Sequence, residues 1–193
     1  GECGSSPDPT GTQRREQTRI ITDNCHPHHT MRTAVYAGSF DPLTNGHLWM
    51  IEKGLEMFDR LYVAIGNNPS KSYTFSVEDR IKLLHDSIPS CERLTIAKFK
   101  NRYLVNYARD VDAQYVLRGI RSSNDYEYER VMRHINGDMA PSITTTFLMP
   151  PRDIAELSSS MVKSLIGPEG WEDSVRRYVP PAVFTALQER DHE

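Results

Sequence analysis

The chain has 193 residues and a formal net charge of −3, which suits one globular domain with some excess and excludes the broad basic face that a general nucleic-acid or membrane binder needs. No apolar run approaches the ~20 residues of a membrane span, and the first residues lack the basic start and apolar stretch of a secretion signal. The three cysteines, Cys3, Cys25 and Cys91, are unpatterned, so the expectation is a cytoplasmic protein without nucleic-acid or membrane partners.

Residues 1–30 are rich in Gly, Ser, Pro, Thr and charge. They bury little surface and are expected to be a disordered extension. Cys25, His26, His28 and His29 are possible metal ligands, but no second Cys or His pair lies nearby at structural zinc spacing, so a solvated tail is the plainer reading. One domain is expected over residues 31–193. It opens with a short buried strand, Thr33 to Ala37, and a helix in which Leu48, Ile51, Leu55 and Phe58 recur at helical spacing. A second strand, Leu61 to Ile65, precedes a helix marked by Val77, Ile81, Leu84 and Ile88. A third strand, Leu94 to Ala97, precedes a helix from Tyr103 to Asp110. The fourth strand, Gln114 to Leu117, is followed by a long helix from about Asn124 to Gly137. A fifth strand, Ile143 to Leu148, leads to helices near Ser159–Leu165 and Pro181–Gln188. This alternation predicts an α/β fold: a Rossmann-like, doubly wound, parallel five-stranded sheet with helices on both faces. Ligands of such sheets bind beyond the carboxyl ends of the strands, so the residues just after each strand carry the chemistry.

After the first strand comes Gly38-Ser39-Phe40-Asp41-Pro42-Leu43-Thr44-Asn45-Gly46-His47. Gly38 lets the backbone turn and come close to a ligand, Asp41-Pro42 starts a turn, and Thr44 or Asn45 can cap the next helix. His47 then sits in a first helical turn, where free N–H groups attract phosphate. After the second strand, Asn68-Pro69-Ser70-Lys71 puts a lysine where it can hold an anion. After the fourth, Arg118-Gly119-Ile120-Arg121 offers two guanidinium forks, with Asp125-Tyr126-Glu127-Tyr128-Glu129 beyond it. A solvated helix start, with Arg121 paired to Glu129 or Asp125, is the competing reading. After the fifth strand, Ser158, Ser159 and Ser160 open a helix and supply hydroxyls and backbone N–H groups.

Thr44-Asn45-Gly46-His47 resembles the (His/Thr)-x-Gly-His signature of the nucleotidyltransferase superfamily, which attacks the α-phosphorus of a nucleoside triphosphate. Together with Gly38-Ser39-Phe40-Asp41-Pro42, Pro69-Ser70-Lys71, Arg118-Gly119-Ile120-Arg121 and Ser158-Ser159-Ser160-Met161-Val162-Lys163, it resembles the phosphopantetheine adenylyltransferase family over about residues 32–190. The resemblance implies transfer of the adenylyl group of ATP to 4′-phosphopantetheine, giving dephospho-coenzyme A and pyrophosphate in coenzyme A biosynthesis. It implies His47 as transition-state stabiliser. It places ATP against Ser39, Phe40, His47, Gly119, Ile120, Arg121, Glu129 and the run Ile154, Ala155, Glu156, Leu157, Ser158, Ser159, Ser160. It places phosphopantetheine against Ser39, Lys71, Leu104 and Arg118. Magnesium (Mg2+) is expected through the ATP phosphates with no protein ligands, and a homohexamer is the expected assembly. Asp153-Ile154-Ala155-Glu156 departs from the pattern, because family members often carry an aromatic there.

The implied nucleophile is already a phosphate anion, so no activating base is needed, and alignment with charge stabilisation is the whole task. The residues fit this, with His, Lys, Arg and Ser after the strands and no Ser-His-Asp or paired-carboxylate constellation. The rivals are an adenylyl- or cytidylyltransferase of the same superfamily with another phosphate acceptor, such as nicotinamide mononucleotide, and a non-catalytic nucleotide-binding module.

Overall fold

A computed structural model describes residues 30–67 and 71–191. The elements in chain order are β1 (Thr33–Gly38), α1 (Asn45–Met57), β2 (Arg60–Asn67), α2 (Val77–Ser87), β3 (Leu94–Lys100), α3 (Leu104–Asp110), β4 (Tyr115–Gly119), α4 (Ser123–Met139), β5 (Thr144–Leu148), α5 (Ser159–Leu165), α6 (Trp171–Val175) and α7 (Pro181–Asp191). Of the extension expected over residues 1–30, residues 1–29, with Cys25, His26, His28 and His29, lie outside the described residues.

The five strands form one sheet in the order β3-β2-β1-β4-β5, and every neighbouring pair is parallel. The central strand β1 is buried along nearly its whole length, whereas the edge strands β3 and β5 are half-exposed. Alternate residues of one strand feed opposite layers. Ala34, Tyr36, Leu61, Val63, Ile65 and Leu117 pack against Met50, Ile51, Leu84, Val162, Trp171 and Phe184. Val35, Ala37, Ala64 and Val116 pack on the other face against Tyr107 and Ala108 of α3. Helices therefore cover both faces, as the alternation predicts, but the layers are unequal: one is large and continuous, and the other is small.

Serine and threonine caps start α1, α2, α4 and α5, the helices that follow β1, β2, β4 and β5, whereas α3 starts after Tyr103 without a side-chain cap. Thr44, Ser76, Ser122 and Ser158 each accept a backbone N–H of their helix's first turn, as N-cap residues do. The strand order turns at β1, because β2 and β3 run out to one side and β4 and β5 to the other. The carboxyl ends of β1 and β4 consequently diverge around an open crevice.

Gly38 is required at the end of β1 for a packing reason. A Cβ there would sit 3.1 Å from the ring of Phe40. Phe40 itself has φ 49°, a left-handed conformation that is unfavourable for a bulky residue. Its ring is buried edge-on against Tyr36 at 5.6 Å and His47 at 5.2 Å, and this burial offsets the strain. Gly38→Ala is expected to displace the ring and cost about 1–3 kcal/mol by overpacking. Urea unfolding monitored by circular dichroism measures it.

Candidate active site

At the crevice, the ends of β1 and β4, the start of α1 and the start of α5 enclose a cavity of about 380 Å³, within the range of small-molecule sites. Gly38 and Ser39 come from β1 and its following loop, and Gly46 and His47 from α1. Arg118, Gly119 and Arg121 come from β4 and beyond, and Leu157, Ser158, Ser159 and Ser160 from the α5 start. A second cavity of about 530 Å³ adjoins it, lined by Tyr73, Phe99, Arg102, Tyr103 and Leu104 among others. Ser39, Lys71 and Tyr128 line both. The site thus has two compartments with a common wall, and the exposed ammonium of Lys71 stands on it.

His47 is the third residue of α1 and closes a reciprocal cap with Thr44. The Thr44 backbone N–H donates to His47 Nδ1 at 3.0 Å, and Thr44 Oγ1 lies 2.9 Å from the same nitrogen. An Nδ1 that accepts a backbone N–H is unprotonated, so the neutral ring carries its proton on Nε2. Burial, and secondarily the charge of Arg121, push the His47 pKa down to about 4. The imidazole is therefore a neutral donor at physiological pH. Thr44→Ala is expected to cost about 1 kcal/mol of stability through the lost cap. It should change turnover only a few-fold, because the backbone donor to Nδ1 survives. Thermal melts beside steady-state rates check both halves.

The two arginines are individually anchored. Arg118 bonds Glu129 through Nε at 2.9 Å and through Nη2, and donates Nη1 to the Ala37 carbonyl at 2.9 Å. Burial works against the Arg118 charge, but the hydrogen bonds and charge of Glu129 outweigh it and hold its pKa above the ordinary value. Arg121 grips Asp125 through Nε at 3.0 Å and donates Nη1 to the Leu157 carbonyl at 3.2 Å. This settles the pairing that the sequence leaves open: Arg121 takes Asp125, and Glu129 goes to Arg118.

The serines divide their work. Ser158 caps α5, Ser159 Oγ donates to the Pro42 carbonyl at 2.8 Å, and Ser160 is exposed at the cavity. Of the other expected site residues, Leu104 lines the second cavity and Ile154 the first. The side chains of Phe40, Ile120, Ala155 and Glu156 line neither. Phe40 is core, Ile120 is buried with its N–H on the Leu148 carbonyl, and Glu156 is exposed. Tyr36, Met50 and Pro150, which no motif marks, also line the first cavity, as do Asp125 and Tyr128 of the segment after β4. Met50 lies one helical turn after His47, and Tyr36 two residues before Gly38, so face periodicity carries their signal. Burial drives the Tyr36 hydroxyl pKa far up, against the pull of Arg118 and Arg121, so the phenol stays protonated.

The cytidylyltransferase-like family model matches residues 35–165. A phosphopantetheine adenylyltransferase of Chromobacterium violaceum is 57% identical over 157 residues, 81% of this chain and 96% of that protein. One of Neisseria meningitidis serogroup B is 58% identical over 165 residues, 85% of this chain and 97% of that protein. Among solved structures, a Plasmodium falciparum nicotinic acid mononucleotide adenylyltransferase complexed with NaAD has a TM-score of 0.59 at 16% identity, covering 83% of this chain and 96% of its own. That likeness concerns the fold. The motifs after β1, β2, β4 and β5 and these near full-length identities agree: the chain belongs to the cytidylyltransferase-like nucleotidyltransferases and, within them, to the phosphopantetheine adenylyltransferase family.

Proposed function

We propose that the enzyme transfers the adenylyl group of ATP to 4′-phosphopantetheine, giving dephospho-coenzyme A and pyrophosphate in coenzyme A biosynthesis. A phosphate oxygen of the acceptor bonds to the α-phosphorus, the bond to the β-phosphate's bridging oxygen breaks, and pyrophosphate leaves with the electron pair. The observation that carries the reading is the two-compartment cleft, in which Lys71 after β2 and Arg118 and Arg121 from β4 and the loop beyond it line the same cavity as His47. Within it, ATP is assigned to the first cavity: His47, Arg121 and Ser158–Ser160 by side chain, and Ser39, Phe40, Gly119, Ile120 and residues 154–157 largely by backbone. Phosphopantetheine is assigned across the shared wall, with Lys71 and Arg118 on its phosphate and Leu104 along its arm. Glu129, which the resemblance assigns to ATP, holds Arg118 and in this scheme bears on the acceptor side.

Magnesium fits as a companion of the triphosphate. Asp125 and Glu129, the carboxylates lining the first cavity among the described residues, are each engaged by an arginine. The metal would supply charge neutralisation across the phosphates, and the chain's residues would orient them.

Cytoplasmic location and a homohexamer complete the proposal. Among the described residues no helix is long and apolar enough to cross a membrane. Tyr128, Val131 and Ile135 are exposed at helical spacing on α4 and supply an apolar face for subunit contact. Sedimentation equilibrium gives the subunit number. Pyrophosphate release with ATP, magnesium and phosphopantetheine tests the activity. Release that is equally fast with nicotinamide mononucleotide as acceptor would sink the assignment.

A further inference from the structure

Asp41 is 1% exposed, and its carboxylate is bonded from two directions. Oδ2 accepts the Thr74 N–H and Oδ1 the Phe75 N–H, both at 2.8 Å. Lys163 of α5 reaches Oδ2 at 3.2 Å. The first pair of donors belongs to the segment that carries Lys71, three residues before Thr74. The third belongs to the helix that carries Ser159 and Ser160. Two further contacts reinforce the same junction. Ser159 Oγ donates to the Pro42 carbonyl, and the buried Arg80 donates to the Ser39 carbonyl at 2.9 Å while its guanidinium lies 4.2 Å from the Tyr73 ring centroid. The loop between β1 and α1 is thus tied on one side to the Lys71 segment and on the other to α5. Asp41 is the side chain common to both ties.

A carboxylate is the group this junction needs, because all three neighbours are donors. An amide of the same size would turn an N–H toward a backbone N–H and offer no charge to the ammonium. We propose that Asp41 is a positioning residue for adenylyl transfer: it fixes where Lys71 stands relative to the α5 serines, and so how the acceptor phosphate meets the nucleotide. This rests on the placement of Lys71 at the acceptor phosphate proposed for the site. Asp41 touches neither substrate; it acts through Lys71.

The test is a double-mutant cycle in the full chain, read as kcat/KM for phosphopantetheine at saturating ATP and well below each variant's melting temperature. Lys71→Ala alone is expected to lower kcat/KM about tenfold to a hundredfold, the size of a lost charge-assisted hydrogen bond. Asp41→Asn alone should lower it about thirtyfold, within the range that a small misplacement produces. In the Asp41→Asn background, Lys71→Ala should cost less than about threefold more, because the lysine is already out of place. Losses that multiply independently would overturn the proposal while leaving the site reading intact. A fully active Lys71→Ala enzyme would overturn the site reading and the proposal with it. Lys163→Met covers the case in which Asp41→Asn folds poorly, since Lys163 is partly exposed and its loss leaves both backbone donors in place. It should lower kcat/KM about threefold to fivefold, the scale of a part-exposed ion pair, and Lys163→Arg should restore it. Wild-type kcat/KM in Lys163→Met would also overturn the proposal.

Discussion

Replacing His47 with alanine is expected to lower turnover by about a hundredfold to a thousandfold while ATP affinity stays near normal, the usual consequence of removing one preorganised donor. The Thr44 N–H fixes Nδ1 as an acceptor, and Nε2–H is then the only proton the ring can offer. A fixed donor strengthens as charge grows on the α-phosphate, which raises turnover and not merely binding. His47→Gln should recover part of the loss. A glutamine at the third helical position can close the same reciprocal cap with its amide oxygen and keep an N–H for the cavity. The pH profile sharpens the test. With a pKa of about 4 in the folded enzyme, His47 should leave no step in kcat between pH 6 and 8. The ring's pKa is lower folded than unfolded, so its contribution to stability is complete above about 6.5. It is lost as the pH falls through 4. The melting-temperature difference between wild type and His47→Gln should therefore shrink between pH 6.5 and 4. A rate step near pH 6.5 that disappears in His47→Gln would show a charged imidazole at work and refute the neutral donor.

Arg118→Ala is expected to destabilise the substrate-free protein by about 3–5 kcal/mol, because it strands a buried carboxylate. The Glu129 side chain is 9% exposed and Arg118 is its ion-pair partner. Removing the cation also frees the Ala37 carbonyl at the end of β1. Arg118→Met combined with Glu129→Leu should recover most of the stability, since replacing both partners leaves no buried charge. It should not recover activity, because the cation is gone from the acceptor side. Urea unfolding and pyrophosphate release on the three proteins separate these effects. Loss of activity with full stability in Arg118→Ala would mean that Glu129 is not dependent on this partner. The sequence-based reading, in which Arg118 and Glu129 serve different substrates, treats them as independent; the structure makes them one unit.

The parts legible in the sequence are those set by neighbours along the chain. Alternating strands and helices, a cap at Thr44 or Asn45 and polar residues after the first, second, fourth and fifth strands follow from local spacing; the structure has the elements, takes Thr44 as the cap and brings Ser39, His47, Lys71, Arg118, Arg121 and Ser158 to one cavity. The strand order does not follow, because pairing of β1 with β4 rather than β3 is decided by which layers can be buried, a non-local choice. Helix α6 escaped notice because five residues are too few to show a helical period; Trp171 and Val175 owe their burial to contacts with the core. Gly38 reads as a ligand-approach glycine, yet its missing Cβ makes room for Phe40. Nothing in spacing alone assigns Glu129 to Arg118 eleven residues earlier, since that distance spans a strand end, a turn and a helix start.

The bond from the Thr44 amide to His47 Nδ1 has a consequence for motion. The first turn of α1 and the readiness of the imidazole are one equilibrium: whenever the turn frays, the amide opens to solvent and the ring loses both its orientation and its tautomer. Amide hydrogen exchange at Thr44 therefore counts the fraction of molecules that are momentarily unable to react. A substrate that holds Nε2 would slow that exchange from across the ring, so protection at one backbone proton reports occupancy of the cleft without any signal from the substrate itself.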